Sequence, residues 1–191
     1  MQPDGTLLLV VNEGIVEDFK IKGNTKTKDY VIIREMKLKK GEPFNAKDAR
    51  RSMQRIYNLG YFEDVNMKLN PGREPNAIVI ETTVVEKKTG SFTLGGAYSK
   101  DDGLMGIIEL GDTNFRGIGD KVNIHWEFGG NSDSKNYEFS YTRPWLDKKE
   151  TSISFSYYDM TNEYSDYDRD GNLESNYDKN RKGFNITLGR P

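Results

Sequence analysis

The chain has 191 residues with 28 Lys and Arg against 30 Asp and Glu, a net charge of −2, so its charge gives no reason to expect a nucleic-acid partner. Its mean hydropathy is −0.79, and no apolar run approaches the roughly 18–20 residues of a membrane-spanning helix, which excludes an α-helical membrane protein. Cysteine is absent, which excludes disulfide scaffolds and cysteine-ligated metals.

The first residues predict a strand rather than a targeting segment. The N-terminus is polar where a signal peptide needs a charged start and an apolar core, so we expect no signal peptide. Thr6 to Asn12 is an apolar run that predicts one buried strand ending in a turn. Since a strand needs a partner, we expect this segment to be the tail of a larger preceding unit.

Residues 14–88 combine strand and helix patterns in the order β-α-α-β-β. Ile15 to Lys22 alternates as a strand does, with Ile15 on the same face as Phe19. A short helix is expected to follow, with Thr27 as its N-terminal cap and its end near Met36.

The second predicted helix begins after Asn45, which can cap it. One helical face carries Ala49, Met53, Ile56 and Tyr57, and Gly60 stands where a left-handed C-terminal cap belongs. Two strands then follow, at Phe62 to Leu69 and at Ala77 to Val85.

Residues 89–191 contain almost only strand signals. Four segments alternate strictly between large apolar residues and small or polar ones; their apolar sets are Val122, Ile124, Trp126 and Phe128; Tyr137, Phe139 and Tyr141; Ile153, Phe155 and Tyr157; and Phe184, Ile186 and Leu188. A soluble β-sandwich produces this pattern with its apolar face inward, and a membrane β-barrel produces it with that face toward lipid. The aromatic bias and the Glu and His residues on the opposite face favour the barrel.

The lengths of the connectors support the same interpretation. Phe115 to Asp120 and Arg143 to Asp147 are short turns, whereas Gly129 to Lys135 and Thr161 to Lys182 are longer polar stretches. Short connectors at one end and long polar ones at the other are typical of the periplasmic turns and extracellular loops of outer-membrane barrels.

Short motifs occur in a specific order along nearly the whole chain: FKIKGN at 19–24, the helix at 29–36, LGYFEDV at 59–65, GSFTLGGAY at 90–98, NFRGIG at 114–119, YTRPWL at 141–146 and LGRP at 188–191. Together they resemble the POTRA repeat and the first barrel strands of BamA-type proteins of the outer membrane. The resemblance implies an α+β POTRA domain (β-α-α-β-β) followed by six antiparallel transmembrane strands.

The resemblance also implies a division of the chain. Residues 1–13 are expected to end a preceding POTRA repeat, residues 14–88 to form the last repeat, and residues 89–191 to form the first six barrel strands. Six strands cannot close around a filled interior, so we expect an incomplete barrel and a fragment of a longer protein.

Candidates for chemistry are few. His125 is the only histidine, and it is interpreted as a polar structural residue on the inner face of the sheet. No nucleophile–base pair, phosphate-binding glycine loop or convergent carboxylate pair appears, so the sequence predicts neither an enzyme nor a cofactor. Gly95-Gly96 is interpreted as a deliberately weakened strand, and close packing against a bulky neighbour is an equal alternative.

An acidic loop imitates the start of a calcium site. Asp166, Asp168, Asp170 and Gly171 match D-x-D-x-D-G, but Tyr177 stands at the twelfth position, where a bidentate glutamate belongs. A solvated acidic loop is therefore the preferred interpretation, and no metal site is expected.

The resemblance implies that the protein assembles outer-membrane β-barrels by strand addition. The client-facing edge is expected to be the first barrel strand: Ser91, Phe92, Thr93, Leu94, Gly95, Gly96, Ala97 and Tyr98. In the periplasmic domain, an edge strand with Phe62, Val65, Met67 and Leu69 is expected to guide clients or dock an accessory assembly lipoprotein. The lipid-facing residues are expected to be Val122, Ile124, Trp126 and Phe128.

Three alternatives remain open. Relatives with the same plan include secretion pores of the two-partner type, which export a passenger, and TamA-like assembly or translocation modules. A soluble α+β domain fused to a β-sandwich adhesin is the third. In the preferred reading, the partners are unfolded outer-membrane proteins and outer-membrane lipid.

Overall fold

A computed structural model describes residues 13–100, 103–130 and 135–190 of the chain. The predicted strand at Thr6 to Asn12 lies outside these residues. The chain divides between Lys88 and Thr89 into two units, each with its own sheet. Neither described helix is long and apolar enough to cross a membrane.

The first unit has the predicted β-α-α-β-β order. Its elements are β1 (Ile15–Lys22), α1 (Asp29–Ile33), α2 (Ala46–Asn58), β2 (Phe62–Pro71) and β3 (Ala77–Glu86). The sheet order is β1-β3-β2, with β1 parallel and β2 antiparallel to β3. Helix and sheet residues share two apolar clusters, listed as Val31, Ile32, Met36, Ile56, Tyr61, Phe62 and Val84, and as Val16, Leu38, Ala49 and Ile80.

Strand β1 contains a bulge that changes the predicted face of its first residue. Val16 pairs with Ile78 and Asp18 with Val79, so Glu17 is an extra residue in the ladder. The bulge turns Val16 into the core, where it is fully buried, and leaves Ile15 39% exposed. The prediction that Ile15 shares the face of Phe19 was therefore wrong. The Glu17 carboxylate accepts the Arg73 N–H at 2.7 Å, which fixes this extra residue.

Helix α1 is shorter than predicted, and Thr27 does not cap it. The cap position is Lys28, which makes no side-chain capping bond. Thr27 is buried, and its N–H donates to the Glu86 carboxylate at 2.6 Å. After Ile33 the backbone tightens, with the Met36 N–H donating to the Ile33 carbonyl three residues earlier.

Helix α2 follows the prediction at both ends. The Asn45 side chain accepts the N–H groups of Lys47 and Asp48, and Gly60 has a φ of 77° just beyond the last turn. Ile56 is fully buried, as predicted, but Tyr57 is exposed. Ser52 lies in the core instead, because its hydroxyl can donate to the Asp48 carbonyl at 2.6 Å.

The second unit is a six-stranded antiparallel sheet whose strands follow chain order. They are β4 (Gly90–Ser99), β5 (Gly103–Phe115), β6 (Asp120–Gly129), β7 (Lys135–Arg143), β8 (Ser152–Tyr167) and β9 (Leu173–Gly189). Within the described residues the sheet is open, with β4 and β9 at its edges. This is the fold predicted for part of a barrel.

The predicted long loop at Thr161 to Lys182 is mostly strand. Strands β8 and β9 continue pairing past the end of β7, from Thr161 opposite Asn180 to Tyr167 opposite Leu173. Stacked rings of Tyr164 and Tyr177, 5.6 Å apart, support this extension. The stretch looks like a loop in the sequence because its residues are polar, but cross-strand pairing is satisfied without an apolar face.

Candidate functional site

The sheet of the second unit has two chemically different faces. Register aligns apolar side chains into two rows across neighbouring strands. One row runs through four strands, Leu94, Ile108, Trp126 and Tyr137, and ends at Asp159 of β8. The next row runs through five strands: Leu110, Ile124, Phe139, Tyr157 and Phe184. Val122, Ile124, Trp126 and Phe128 all lie on this face. Ile124 and Trp126 remain 42% and 37% exposed because no described element covers them. An exposed apolar face of this kind marks a surface that contacts lipid or another protein.

The opposite face is polar. His125 lies on it, with Nε2 3.0 Å from Glu127 Oε1. The Asn136 amide donates to the other Glu127 oxygen at 2.9 Å, and the Asn136 carbonyl oxygen accepts the Thr161 N–H. His125 therefore belongs to a polar hydrogen-bonded chain across β6, β7 and β8, which agrees with a structural role.

Strand β4 is paired on one side only within the described residues. All ten of its residues, Gly90 to Ser99, pair in register with β5. The opposite edge of β4 has no described partner strand. Within the described residues, the predicted client-facing residues Ser91 to Tyr98 therefore lie on one of the two edge strands of the open sheet, the other being β9.

The two glycines of β4 are not required by close packing. A Cβ on Gly95 would meet only Ile107 Cβ at 3.8 Å, and one on Gly96 would meet only the Met105 carbonyl oxygen at 3.6 Å. Both are ordinary contact distances. Within the described residues, therefore, no bulky neighbour demands glycine at either position, and each has room for a methyl group on the side of β5.

One end of the sheet is held by polar side chains that the sequence analysis did not identify. The fully buried Asn114 accepts the Gly119 N–H at 2.8 Å through its side-chain oxygen. Asp112 accepts the Thr89 hydroxyl at 2.7 Å and the Asn114 N–H at 2.9 Å. These bonds tie the start of β4 to the β5–β6 turn.

At this same end of the sheet, two arginines contact aspartates that lie in or beside the preceding turn of the sheet. Arg143, at the end of β7, binds the buried Asp120 at 2.9 Å, and the Tyr141 hydroxyl also donates to Asp120. Arg190, after β9, lies 3.6 Å from Asp147. The repeated Arg-Pro at 143–144 and 190–191 was the sequence signal that could have revealed this shared position.

In the first unit, β2 is the more open sheet edge. The start of β1 is covered by the segment 41–44, where the Val16 N–H donates to the Glu42 carbonyl and the Phe44 N–H to the Gly14 carbonyl. No described strand covers the free side of β2. Three of its four predicted edge residues face the core: Phe62 is buried, and Val65 and Met67 pack against the first apolar cluster. The fourth, Leu69, is 49% exposed.

The acidic loop forms a tight turn instead of a cation cage. Asp168 Oδ1 accepts the N–H groups of Asp170 and Asn172 at 2.9 and 2.8 Å. These hydrogen bonds lower the pKa of Asp168, the bond from Asn172 most. Among the described residues, no group of three or more His, Asp or Glu is placed to hold a metal ion.

Comparison with known proteins agrees with both units. Residues 14–87 match the family model for POTRA, described as a surface antigen variable number repeat, and residues 114–191 match the Omp85 superfamily domain. The outer membrane protein assembly factor BamA of Neorickettsia risticii is 32% identical over 128 residues, which cover 67% of this chain and 17% of that protein. The chain thus spans about a sixth of that relative's length.

Solved structures share the fold. The BamA structure from Haemophilus ducreyi lacking POTRA domains 1–3 superposes with a TM-score of 0.72 at 24% identity, covering 92% of this chain and 32% of that one. CdiB from Acinetobacter baumannii gives a TM-score of 0.58 at 19% identity, covering 94% of this chain and 34% of that one. With a POTRA domain, an open antiparallel sheet and these relatives, the chain belongs to the BamA-like proteins of the Omp85 superfamily, which lie in the outer membrane with periplasmic POTRA domains.

Proposed function

We propose that this protein assembles and inserts outer-membrane β-barrel proteins by adding client strands to the free edge of β4. The observation that carries the proposal is the position of β4: it directly follows the POTRA domain and begins the sheet, so its outer edge must meet the closing strand of a complete barrel. An unpaired strand edge templates further pairing, which most proteins prevent. In a bilayer, that edge supplies the backbone hydrogen bonds that lipid cannot supply.

The glycines of β4 support a seam that opens. Among the described residues, nothing occupies the space of a methyl group at Gly95 or Gly96, so glycine there lowers the stability of the strand without a packing need on the side of β5. The start of β4 is held by the Thr89 and Asp112 hydrogen bond, whereas Gly95 and Gly96 contribute no side-chain contact farther along the strand. Such a strand can separate from a closing strand while remaining attached at its origin.

The two-faced sheet supports insertion in lipid. Val122, Ile124, Trp126 and Phe128 are proposed to face the hydrocarbon, and the His125 and Glu127 face to line the barrel interior. Residues 14–88 are then the last POTRA domain, residues 89–191 the first six strands, and residues 1–13 the end of a preceding repeat.

The proposed partners follow from these surfaces. Unfolded outer-membrane proteins pair with β4, and outer-membrane lipid contacts the apolar face. The open β2 edge offers backbone groups and the exposed Leu69 to a client segment or an accessory lipoprotein. Strand addition involves no catalysed reaction and no cofactor.

The decisive experiment locks the seam. One cysteine is placed in β4 and a second in the last strand of the full-length barrel, so that a disulfide joins the two strands. Because residues 1–191 contain no native cysteine, none of them competes for the cysteine in β4. Locking should abolish assembly of client barrels, and reduction should restore it, because a closed ladder leaves no edge for a client. A matched pair joining β4 to β5, which are already paired, should leave assembly intact.

Full assembly by a completely locked protein would rule out strand addition at β4. Passenger export that survives locking would instead favour a secretion pore, since a pore uses the lumen and not the seam. A TamA-like role would appear as loss of a narrower client set on locking.

A further inference from the structure

A pocket of about 350 Å³ lies beside α2 in the POTRA domain, and its chemistry is unrelated to either strand edge. Its lining consists of Lys37, Arg51, Gln54, Arg55 and Asn58. The four helix residues recur at 3, 4 and 7 positions and so form one face of α2. Cations and amides make up the whole lining, with neither a carboxylate nor a large apolar side chain among them.

The walls of the pocket are held in place by buried groups. Glu35 is buried and accepts from Arg55 Nη2 at 2.8 Å and from Nε at 3.0 Å, which fixes that guanidinium. The Lys37 N–H donates to the buried Ser52 hydroxyl at 2.9 Å, so the backbone of Lys37 is fixed against the middle of α2. A site with fixed donors loses less entropy when a ligand binds.

The charge around the pocket is positive. Helix α2 carries Lys47, Arg50, Arg51 and Arg55 against Asp48 alone. Residues 14–88 carry 16 Lys and Arg against 11 Asp and Glu, while residues 89–191 carry 12 against 17. The near-neutral total therefore conceals a basic periplasmic domain, which attracts anions at moderate ionic strength.

Glu35 occupies two of the Arg55 donors. The remaining N–H groups of Arg55, the Arg51 guanidinium, the Lys37 ammonium and the two side-chain amides line one space and suit an anion with several oxygens. We propose that this pocket binds a phosphate group, and that the group is the phosphodiester of an anionic lipid headgroup. Only residues 87–89 separate β3 of this domain from the first strand of the membrane sheet, so the domain works where such headgroups are abundant. The inference rests on this location and not on the proposed assembly activity.

The test uses the full-length protein in a non-ionic detergent. A single cysteine is introduced by Y57C, at an exposed position that precedes Asn58 of the pocket lining in the sequence, and carries an environment-sensitive dye. The probes are short-chain phosphatidylglycerol, short-chain phosphatidylcholine and inorganic phosphate. Phosphatidylglycerol should shift the dye emission at about a tenth of the concentration that phosphatidylcholine requires, because choline carries a cation toward Lys37 and Arg51.

Matched double variants separate the pocket from general charge attraction. K37Q/R51Q should weaken phosphatidylglycerol binding about tenfold or more, whereas K47Q/R50Q removes the same charge from α2 outside the pocket lining and should change it less than about twofold. Both pairs replace exposed side chains, so the fold should survive, and circular dichroism checks this.

If K37Q/R51Q and K47Q/R50Q weaken phosphatidylglycerol binding equally, the binding does not depend on the pocket, and the proposal is overturned. Binding of inorganic phosphate without phosphatidylglycerol would overturn the lipid assignment. An acidic peptide that binds while neither phosphate probe does would mark a protein-docking surface, and would also overturn the proposal. The proposal would also be overturned if none of the three probes shifted the dye emission.

Discussion

Phe128 covers Gly106 of the neighbouring strand so closely that a Cβ on Gly106 would stand 2.5 Å from Phe128 Cζ. On its other side, Gly106 pairs with Gly96 of β4, where a Cβ would have ordinary contacts. Two glycines that face each other across β4 and β5 therefore have different reasons to be glycine. The one in β5 admits an aromatic ring, whereas no described side chain requires the one in β4.

The first prediction concerns Gly106. G106A should destabilise the barrel by roughly 1–3 kcal/mol, because the Phe128 ring must move to admit the methyl group. Urea unfolding of the full-length protein in detergent, followed by the heat-dependent gel shift of folded barrels, measures this. G96A is the matched control. It should raise the free energy of unfolding slightly, by no more than about 0.5–1 kcal/mol relative to the parent. Equal losses would show that the ring is not fixed over Gly106.

The second prediction connects β4 to activity. The double variant G95A/G96A should fold at least as stably as the parent and yet assemble client barrels several times more slowly, because a firmer β4 separates less readily. Client assembly in proteoliposomes is the measurement. An unchanged rate in a correctly folded variant would mean that the two glycines do not set the opening of the seam.

The third prediction tests the core of the POTRA domain. I56A should lower the free energy of unfolding of residues 13–88 by roughly 2–5 kcal/mol, since Ile56 is fully buried between α2 and the sheet. Y57A, one residue away, removes a side chain that is 55% exposed and should cost far less. Urea titration of the domain expressed alone measures both. A loss under about 0.5 kcal/mol for I56A would contradict the assigned core.

The fourth prediction concerns pH and Glu86. Although burial raises the pKa of Glu86, bonds from the N–H of Lys26, the Thr25 and Thr27 hydroxyls and the Thr27 N–H lower it to about 2, from about 4.5 in the unfolded chain. A carboxylate with a depressed pKa stabilises the fold above its unfolded pKa and loses that contribution as pH falls toward its folded pKa. The window of loss is therefore about pH 4.5 to about pH 2.

E86Q should destabilise the domain at neutral pH by roughly 1–3 kcal/mol, since an amide has one acceptor oxygen for several donors. The difference between parent and variant should shrink as the pH falls through that window, as measured by urea titration at each pH. E63Q, which alters an exposed glutamate of β2, serves as the control. A difference that stays constant down to pH 2 would contradict the role of Glu86.

The contacts of Glu86 also show which features could not be predicted from the sequence: those that depend on residues far apart in the chain. Alternation and capping are local, so they predicted four strands of the second unit, the Asn45 cap and the buried Ile56, whereas the number of six strands came from the resemblance to BamA-type proteins. Thr27 was wrongly expected to cap α1 because its partner, Glu86, lies 59 residues away. The β1 bulge depends in the same way on Glu17 bonding to Arg73, 56 residues away. The local sequence around Thr27 or around Glu17 contains no pattern that predicts either contact.

Within the candidate site, the edge position of β4 follows from chain order, because the strand after the periplasmic domain begins the sheet. The polar end of the sheet does not follow. Asp112, Asn114 and Asp120 read as ordinary turn residues, and only three-dimensional pairing shows that Asn114 and Asp120 are buried. Buried polar groups need partners, and those partners lie on other strands.

The last prediction concerns the two faces of the sheet. Nitroxide labels on single cysteines at Ile124 and Trp126, in the full-length protein in bilayers, should collide with oxygen and be shielded from a water-soluble nickel chelate, because oxygen concentrates in hydrocarbon. Labels at Asn123 and Ser140, which pair with each other on the opposite face, should show the reverse. Ile124 pairs with Phe139, and both are at least 36% exposed, so lipid has direct access to this face. A β-sandwich would bury Ile124 against a second sheet, and its label would be immobile and shielded from both reagents. That result would contradict a lipid-facing surface, whereas period-two alternation of the two accessibilities through residues 122–128 would establish it.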